Sequence, residues 1–309
     1  MTRTQVAPGG YVHARSAFAD ELGRLRLLQE RYDTRTFGRL SALGPLDGTA
    51  CLEVGAGAGS VALWLAAQAG PAGRVVATDL DPRFLAGAAA AGIEIRRHDI
   101  LADPLEPRRY DLVHCRALLC HLRDPAGAVR RMTAAVRPGG WLLVEDADYV
   151  SVVAADPAHP GAPRFDAIMR QLLAFIAARR SFDPFFGRRL PGLVASADLA
   201  EAGHEAVACQ RQGRSPAAEV LARSLERTRD QTLSHGAVDA AEFQAVLATL
   251  RDPSFTFVDA LSVAAWGRIA GLRHRAAASP PDSRNGGNQA GSAGTSPDQI
   301  TTRAETHVR

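Results

Sequence analysis

The segment Cys51–Ser60, C-L-E-V-G-A-G-A-G-S, constrains the fold more than any other stretch: it sets an acid two residues ahead of a G-x-G-x-G loop between two apolar runs. Cys51–Val54 reads as a short buried strand. Val61, Trp64, Leu65 and Gln68 recur at three-and-four spacing, so the chain continues from the loop as a helix. Gly55, Gly57 and Gly59 allow a sharp turn with positive φ and leave no side chain where a ligand must approach. A strand, a glycine turn and a helix in that order outline a nucleotide-cofactor site.

The dinucleotide version of this loop, G-x-G-x-x-G, carries glycine or alanine at its last position, and here Ser60 stands there. The spacing therefore leans away from NAD. The next strand, Arg74-Val-Val-Ala-Thr-Asp79, ends in an acid 20 residues beyond Gly59. An acid at that distance and at a strand's carboxyl end suits the two ribose hydroxyls of an adenosine.

Strands and helices then alternate: strand 50–54, helix 58–69, strand 74–79, helix 82–91, strands 93–97 and 110–115, helix 125–136 and strand 141–145. Alternation of this kind builds a parallel sheet covered on both faces. Asp81-Pro82 and Asp124-Pro125 are helix starts, and Arg137-Pro-Gly-Gly140 is a helix stop. Upstream, Leu22, Leu25, Leu28 and Tyr32 recur at helical spacing within 16–43, which serves as a lid or a brace. Downstream, an apolar helix over Phe165–Ala178 leads into S-F-D-P-F-F, a sheet helix is expected over 187–203, a strand over 204–211, a helical insertion over 215–250 and a last strand over 254–268.

With 309 residues, 46% of them hydrophobic, the chain can bury one elaborated core. Three segments are expected: 1–48, N-terminal and helical; 49–275, a cofactor-binding domain with helical insertions at about 150–186 and 215–250; and 276–309, a disordered tail rich in Ser, Pro, Gly, Asn and Thr. All 36 basic residues are arginine. That excludes a lysine Schiff base, a Walker A lysine and a kinase strand lysine, and it points to a GC-rich, bacterial coding sequence. A net charge of +3 spread among acids gives no electrostatic footprint for nucleic acid. Four cysteines, no signal-like start and no apolar run of bilayer length lead us to expect a cytoplasmic protein that does not enter a membrane.

In order, E-V-G-A-G-A-G, V-V-A-T-D-L-D-P, R-R-H-D-I, Y-D-L-V-H-C-R and V-R-P-G-G-W-L-L-V-E-D resemble the motifs of class I S-adenosylmethionine-dependent methyltransferases, in register from about Thr49 to Asp146. F-G-R-R-L-P-G-L and V-A-A-W-G-R extend a looser similarity to bacterial small-molecule methyltransferases. The resemblance implies an α/β fold: a Rossmann-like open, mostly parallel seven-stranded sheet with helices on both faces and helical lid insertions. It implies S-adenosyl-L-methionine as cofactor and a first helix that closes over it, so that Arg24 or Tyr32 would touch it. Glu53, Gly55, Gly57 and Gly59 would lie under its amino-acid part, Asp79 would bind the ribose, Leu80 would pack on adenine, Asp99 would accept from the adenine amine, and the Ile100 backbone would hold the ring edge. Cys115 and Arg116 would lie near the methionine moiety, where the guanidinium would pair with its carboxylate or else make a surface ion pair.

On the acceptor side His121 is a candidate general base and Asp146 a second candidate catalytic group, with Asp148 and Tyr149 beside it. His114-Cys115-x4-Cys120-His121 collects metal-ligand types, yet its ends belong to different elements and no zinc spacing fits, so no metal is expected. Asp183-Pro-Phe-Phe186 resembles the D-P-P-Y loop of enzymes that methylate nucleic-acid amino groups, but lies too far downstream and reads as an aromatic lid loop. The favoured function is methyl transfer to a small-molecule acceptor, on oxygen before nitrogen or carbon, in bacterial specialised metabolism. The partner is then the acceptor itself, with no nucleic acid and no membrane, and a homodimer is compatible with it. The alternatives are a methyltransferase for RNA or protein, which Arg179-Arg180 and Arg188-Arg189 would allow, a cofactor-binding protein without catalysis, and a nicotinamide oxidoreductase, which Ser60 and the missing lysines disfavour.

Overall fold

In a computed structural model, the structure describes residues 18–271 apart from 180, 181, 198 and 237. The expected tail and residues 1–17 lie outside the described residues, as does Arg180.

Helix α1 (Phe18–Ala42) precedes the sheet. The alternating part follows as β1 (Ala50–Val54), α2 (Ser60–Ala69), β2 (Arg74–Asp79), α3 (Ala86–Ala89), β3 (Glu94–Arg97), β4 (Tyr110–Arg116), α4 (Pro125–Ala135) and β5 (Val136–Asp148). The expected helix 82–91 is a 3-10 turn, Pro82–Leu85, running into the single turn of α3. Asp81 and Asp124 cap their helices as read, each accepting a backbone N–H with proline in the first turn.

The rest comprises β6 (Val153–Ala154), α5 (Ala162–Ala178), α6 (Leu190–Ala195), β7 (Ala200–Val207), β8 (Gln210–Gln212), α7 (Pro216–Ser234), α8 (Ala240–Leu250), β9 (Thr256–Val258) and β10 (Leu261–Arg268). Seven strands form one sheet in the order β3-β2-β1-β4-β5-β10-β7. The first five run parallel, whereas β10 is antiparallel to both β5 and β7.

Two expected strands are corrected: the one over 204–211 is β7 (Ala200–Val207) in the main sheet and β8 (Gln210–Gln212) in a smaller one. The last strand does not run unbroken over 254–268: β9 joins β6 and β8 in a separate three-stranded sheet, and only β10 enters the main one. The break falls at Asp259, a buried carboxylate that Arg31 of α1 pairs with and that accepts the Ala260 N–H. The insertion 215–250 is two helices, because Gly236 turns with φ 67° and Asp239 with Glu242 forms a capping box that starts α8.

Strand alternation assigns the side chains to faces. Leu52, Val54, Val113, Cys115 and Val144 point into a core shared with α4 and α6. Cys51, Leu112 and Leu143 point into the opposite core, where Leu40 and Phe37 of α1 pack. By the same parity Glu53, His114 and Glu145 face α1, at the carboxyl ends of β1, β4 and β5. A third core, built on Phe165, Phe243, Phe255 and Phe257, holds α5, α7 and α8 together with the small sheet.

Candidate active site

A cavity of about 550 Å³ opens at the carboxyl ends of the parallel strands, under α1 and between α5 and α7. Glu53, Gly55, Gly57, Asp79, Leu80, Asp99, Ile100 and Arg116 line it, together with His121 and Asp146. Ligands bind at this edge in open α/β sheets because the loops that follow the strands converge there.

The glycine loop is anchored through its backbone. Gly55 and Ala56 donate to the Thr78 carbonyl at 2.8 and 2.9 Å, and Gly57 donates to Asp79 Oδ2 at 2.9 Å. Gly57 sits at φ 56°, which L side chains rarely adopt. Asp79 Oδ1 accepts the Asp81 N–H at 2.9 Å, so each carboxylate oxygen keeps a lone pair for a ligand. Burial raises the Asp79 carboxyl above its ordinary range. Leu80 is 49% exposed at the cavity wall, an apolar platform left uncovered by the protein. Asp99 accepts the Leu101 N–H at 2.9 Å and shapes the turn that brings Ile100 to the wall.

Two expected contacts are absent from the cavity. Gly59 does not line it: a side chain there would press on Leu85 at 3.0 Å and Ala88 at 3.3 Å, so this glycine serves helix packing at the start of α2. The Cys115 side chain is sealed in the core on the far face of β4, where the strand's parity sends it. Arg116 does line the cavity, but its guanidinium holds α1, donating to Thr36 Oγ1 and Asp33 Oδ1, both at 2.8 Å.

Two wall groups go beyond the roles the motifs assign: His98 stands in R-R-H-D-I without a role of its own, and Tyr32 is expected only as a contact of a lid helix. His98 lies on the wall with both ring nitrogens buried and without a hydrogen-bond partner among the described residues, and the Tyr32 hydroxyl is in the same state. A donor–acceptor imidazole, a free phenol, an exposed leucine and a carboxylate with spare lone pairs fit the edges, hydroxyls and ring face of an adenosine. The other missed group is His114. Its Nδ1 lies 2.6 Å from Glu53 Oε2, and its Nε2 lies 3.6 Å from Glu145 Oε1. Burial lowers the pKa of this imidazole, but the two carboxylates outweigh it and raise the value to about 9. Glu145 in turn accepts from Thr36 Oγ1 and Arg39 Nη1, both at 2.9 Å. A buried charged chain therefore runs from the cavity floor at Glu53 to helix α1. Glu53 was read only as a cofactor contact, and His114 only as part of a rejected metal cluster.

His121 sits in a short turn after β4, its ring 5.1 Å from Phe182, while Tyr149 meets Phe182 edge-on at 6.0 Å. Burial, with a smaller push from Arg24, lowers the His121 pKa to about 4. Its imidazole is neutral at physiological pH and weakly basic. Asp146 accepts the backbone N–H of Cys120 at 3.0 Å and that of Ala147 at 3.1 Å, fixing the turn that carries His121; burial raises its pKa to about 6. Asp148 lies off the cavity, in an ion pair with Arg188 at 2.5 Å. The Asp183-Pro-Phe-Phe186 loop is tied to the same turn, since Asp183 donates its N–H to the Cys120 carbonyl at 3.0 Å.

Residues 52–144 match a family model described as a methyltransferase domain. Methyltransferase str2 of Strobilurus tenacellus is 34% identical over 153 residues, covering 48% of this chain and 53% of that protein. A ubiquinone biosynthesis O-methyltransferase of Leptothrix cholodnii is 34% identical over 110 residues, 33% of this chain and 46% of that protein. The chain thus spans about half the length of these curated relatives. In fold it is similar to Haemonchus contortus phosphoethanolamine N-methyltransferase 2, solved with S-adenosyl-L-methionine, with a TM-score of 0.54 at 15% identity over 87% of this chain and 61% of that one. These matches give residues 52–144 as a methyltransferase domain, for which S-adenosylmethionine is the cofactor, and the sheet order agrees with the fold of the solved methyltransferase. They include fungal and bacterial proteins and do not single out the bacterial small-molecule subgroup. No helix among the described residues is long and apolar enough to cross a membrane.

Proposed function

We propose that this protein transfers a methyl group to an oxygen of a small-molecule acceptor, in bacterial specialised metabolism. The observation that carries this reading is a single cavity in which the glycine-loop site continues into an enclosed space walled by α1, α5 and α7. Such a space holds a small molecule against the reacting centre and keeps water out. When bound, S-adenosylmethionine would supply an electrophilic methyl group to the acceptor oxygen and leave as S-adenosylhomocysteine. The protein supplies position. Glu53 and the Gly55–Gly57 backbone would hold the amino-acid end, Asp79 the ribose hydroxyls, and Leu80, His98, Asp99 and Ile100 the adenine. His121 would take the acceptor's proton on a neutral ring nitrogen, steadied by Phe182 and by the Cys120 turn that Asp146 holds.

Of the two arginine pairs that would favour a nucleic-acid acceptor, Arg188-Arg189 is engaged elsewhere: Arg188 pairs with Asp148, and Arg189 with Asp183. Calorimetric titration with S-adenosylhomocysteine, with NADH in parallel, tests the cofactor side. Binding of the first and not the second is expected, and binding of NADH alone would overturn the reading. On the acceptor side, His121→Ala is expected to lower kcat by about a hundredfold, in the range of general-base losses, while leaving cofactor affinity in place. With a pKa near 4, His121 itself stays neutral down to about pH 5, so a fall in kcat between about pH 7 and pH 5 at saturating cofactor would trace to Asp146, whose pKa lies near 6. Unchanged turnover in the variant would remove His121 as the base.

A further inference from the structure

The inner part of the cavity changes character along its two insertion helices. Near the sheet its walls are apolar, with Met169 and Leu173 from α5 and Leu221 and Leu225 from α7. Towards the carboxyl ends of both helices they turn polar, with Thr228 and Gln231 on α7 and Arg179 closing α5. These ends meet: the Phe175 ring lies 5.7 Å from that of His235, and Arg179 Nη1 lies 3.5 Å from His235 Nε2.

Four arginines line the cavity among the described residues. Three have an acid partner: Arg24 pairs at 2.7 Å with Glu21, a carboxylate it shares with Arg227, while Arg83 pairs with Asp81 at 2.6 Å and Arg116 with Asp33 at 2.8 Å. Arg179 has no acid partner among the described residues. It lies over the Phe175 ring, 5.4 Å from the centroid, and its other neighbour is His235. His235 Nδ1 lies 2.9 Å from the Gln231 carbonyl, so Nε2 is the ring atom turned to the guanidinium, and an imidazole brings no negative charge to it. The Ser224 hydroxyl donates to the Val220 carbonyl at 2.7 Å and that of Thr228 to Leu225 at 2.8 Å. Their protons are engaged within α7, so both present lone pairs to the cavity and suit a ligand that donates.

We propose that the acceptor is an amphipathic organic anion: an apolar body bearing a hydroxyl lies between α5 and α7, and an anionic end of the carboxylate type pairs with Arg179 at the mouth. The proposal rests on the methyltransferase reading and names the substrate class of that site. A guanidinium offers a flat pair of donors that a carboxylate matches, and the ring beneath it keeps one face dry. An uncharged acceptor of the same shape would gain the apolar contact and lack the anchor.

Two fluorescent probes that differ by one charge test this: 1-anilinonaphthalene-8-sulfonate and its uncharged counterpart N-phenyl-1-naphthylamine, each titrated into the full chain saturated with S-adenosylhomocysteine. Arg179→Gln is expected to weaken binding of the sulfonate by about tenfold or more, the loss of a charge-assisted contact, and to leave the neutral probe within about twofold. Arg179→Lys should restore part of the sulfonate affinity. Ser224→Tyr, which fills the space between the helices, should remove both probes. Arg179 ends its helix in an exposed position, so its replacement does not threaten the fold. Equal losses for the two probes, no change for either, or no binding of either would each overturn the anion anchor. Failure of S-adenosylhomocysteine itself to bind in calorimetry would instead overturn the methyltransferase reading, and so separates the two.

Discussion

Replacing His114 by glutamine is expected to destabilise the protein by about 3–5 kcal/mol, the range seen when one partner is removed from a buried ion pair. Glu53, His114 and Glu145 are all buried, on adjacent strands and on one face of the sheet. Without the imidazolium, two carboxylates face each other across the His114 position, and Arg39 compensates only the outer one. The folded-state pKa of His114, about 9, lies above its unfolded value near 6.5. Its stabilisation is therefore fully present below pH 6.5 and is lost as pH rises through 9. Urea unfolding at pH 6 and pH 9.5 should show a drop in wild-type stability over that interval and a flatter profile in His114→Gln. A variant as stable as wild type at pH 6 would show that the contact carries no charge. Cofactor affinity should fall alongside, because Glu53 on the cavity floor loses the group that orients it.

Asp79→Ala is expected to weaken S-adenosylhomocysteine binding by roughly a hundredfold or more, since hydrogen bonds to a charged acceptor contribute about 1.5–3 kcal/mol each and two ribose hydroxyls lose theirs. The substitution also frees the Gly57 N–H that Asp79 holds at 2.9 Å, loosening the loop under the ligand. Asp79→Asn, which keeps one acceptor oxygen, should fall between the two. Because burial raises the Asp79 carboxyl, affinity should decline with acidification earlier than for an ordinary aspartate. Undiminished binding in Asp79→Ala would mean that the ribose lies elsewhere.

Local patterns carried the sheet and the cofactor side. The parallel strands and the glycine turn announce themselves because each depends on residues close together in sequence: alternation sets the strands, positive φ needs glycine, and Asp-Pro starts a helix. The run Ser254–Arg268 misled for a non-local reason: Asp259 is an interior charge whose partner, Arg31, lies on the first helix, and burying that pair breaks the strand in two. For Arg116 the motifs leave the methionine carboxylate and an ion pair both open, and the partners it takes, Asp33 and Thr36, lie about 80 residues upstream, beyond any motif. The charged chain under the cavity could have been suspected. Glu53, His114 and Glu145 are polar intrusions in three apolar strands, and their shared parity puts them on one face.

The amino-acid sequence by itself determined the class of fold, the cofactor loop and the acid that ends the second strand, since turn chemistry and strand periodicity act over a few residues. Only the tertiary structure decided which groups are engaged and which are open. It turned Gly59 to packing and Cys115 to the core, joined Glu53 to α1 through His114, and left Arg179 without a counter-charge among the described residues. Burial and ion pairing are properties of neighbours brought together by folding, and no local stretch of chain contains them.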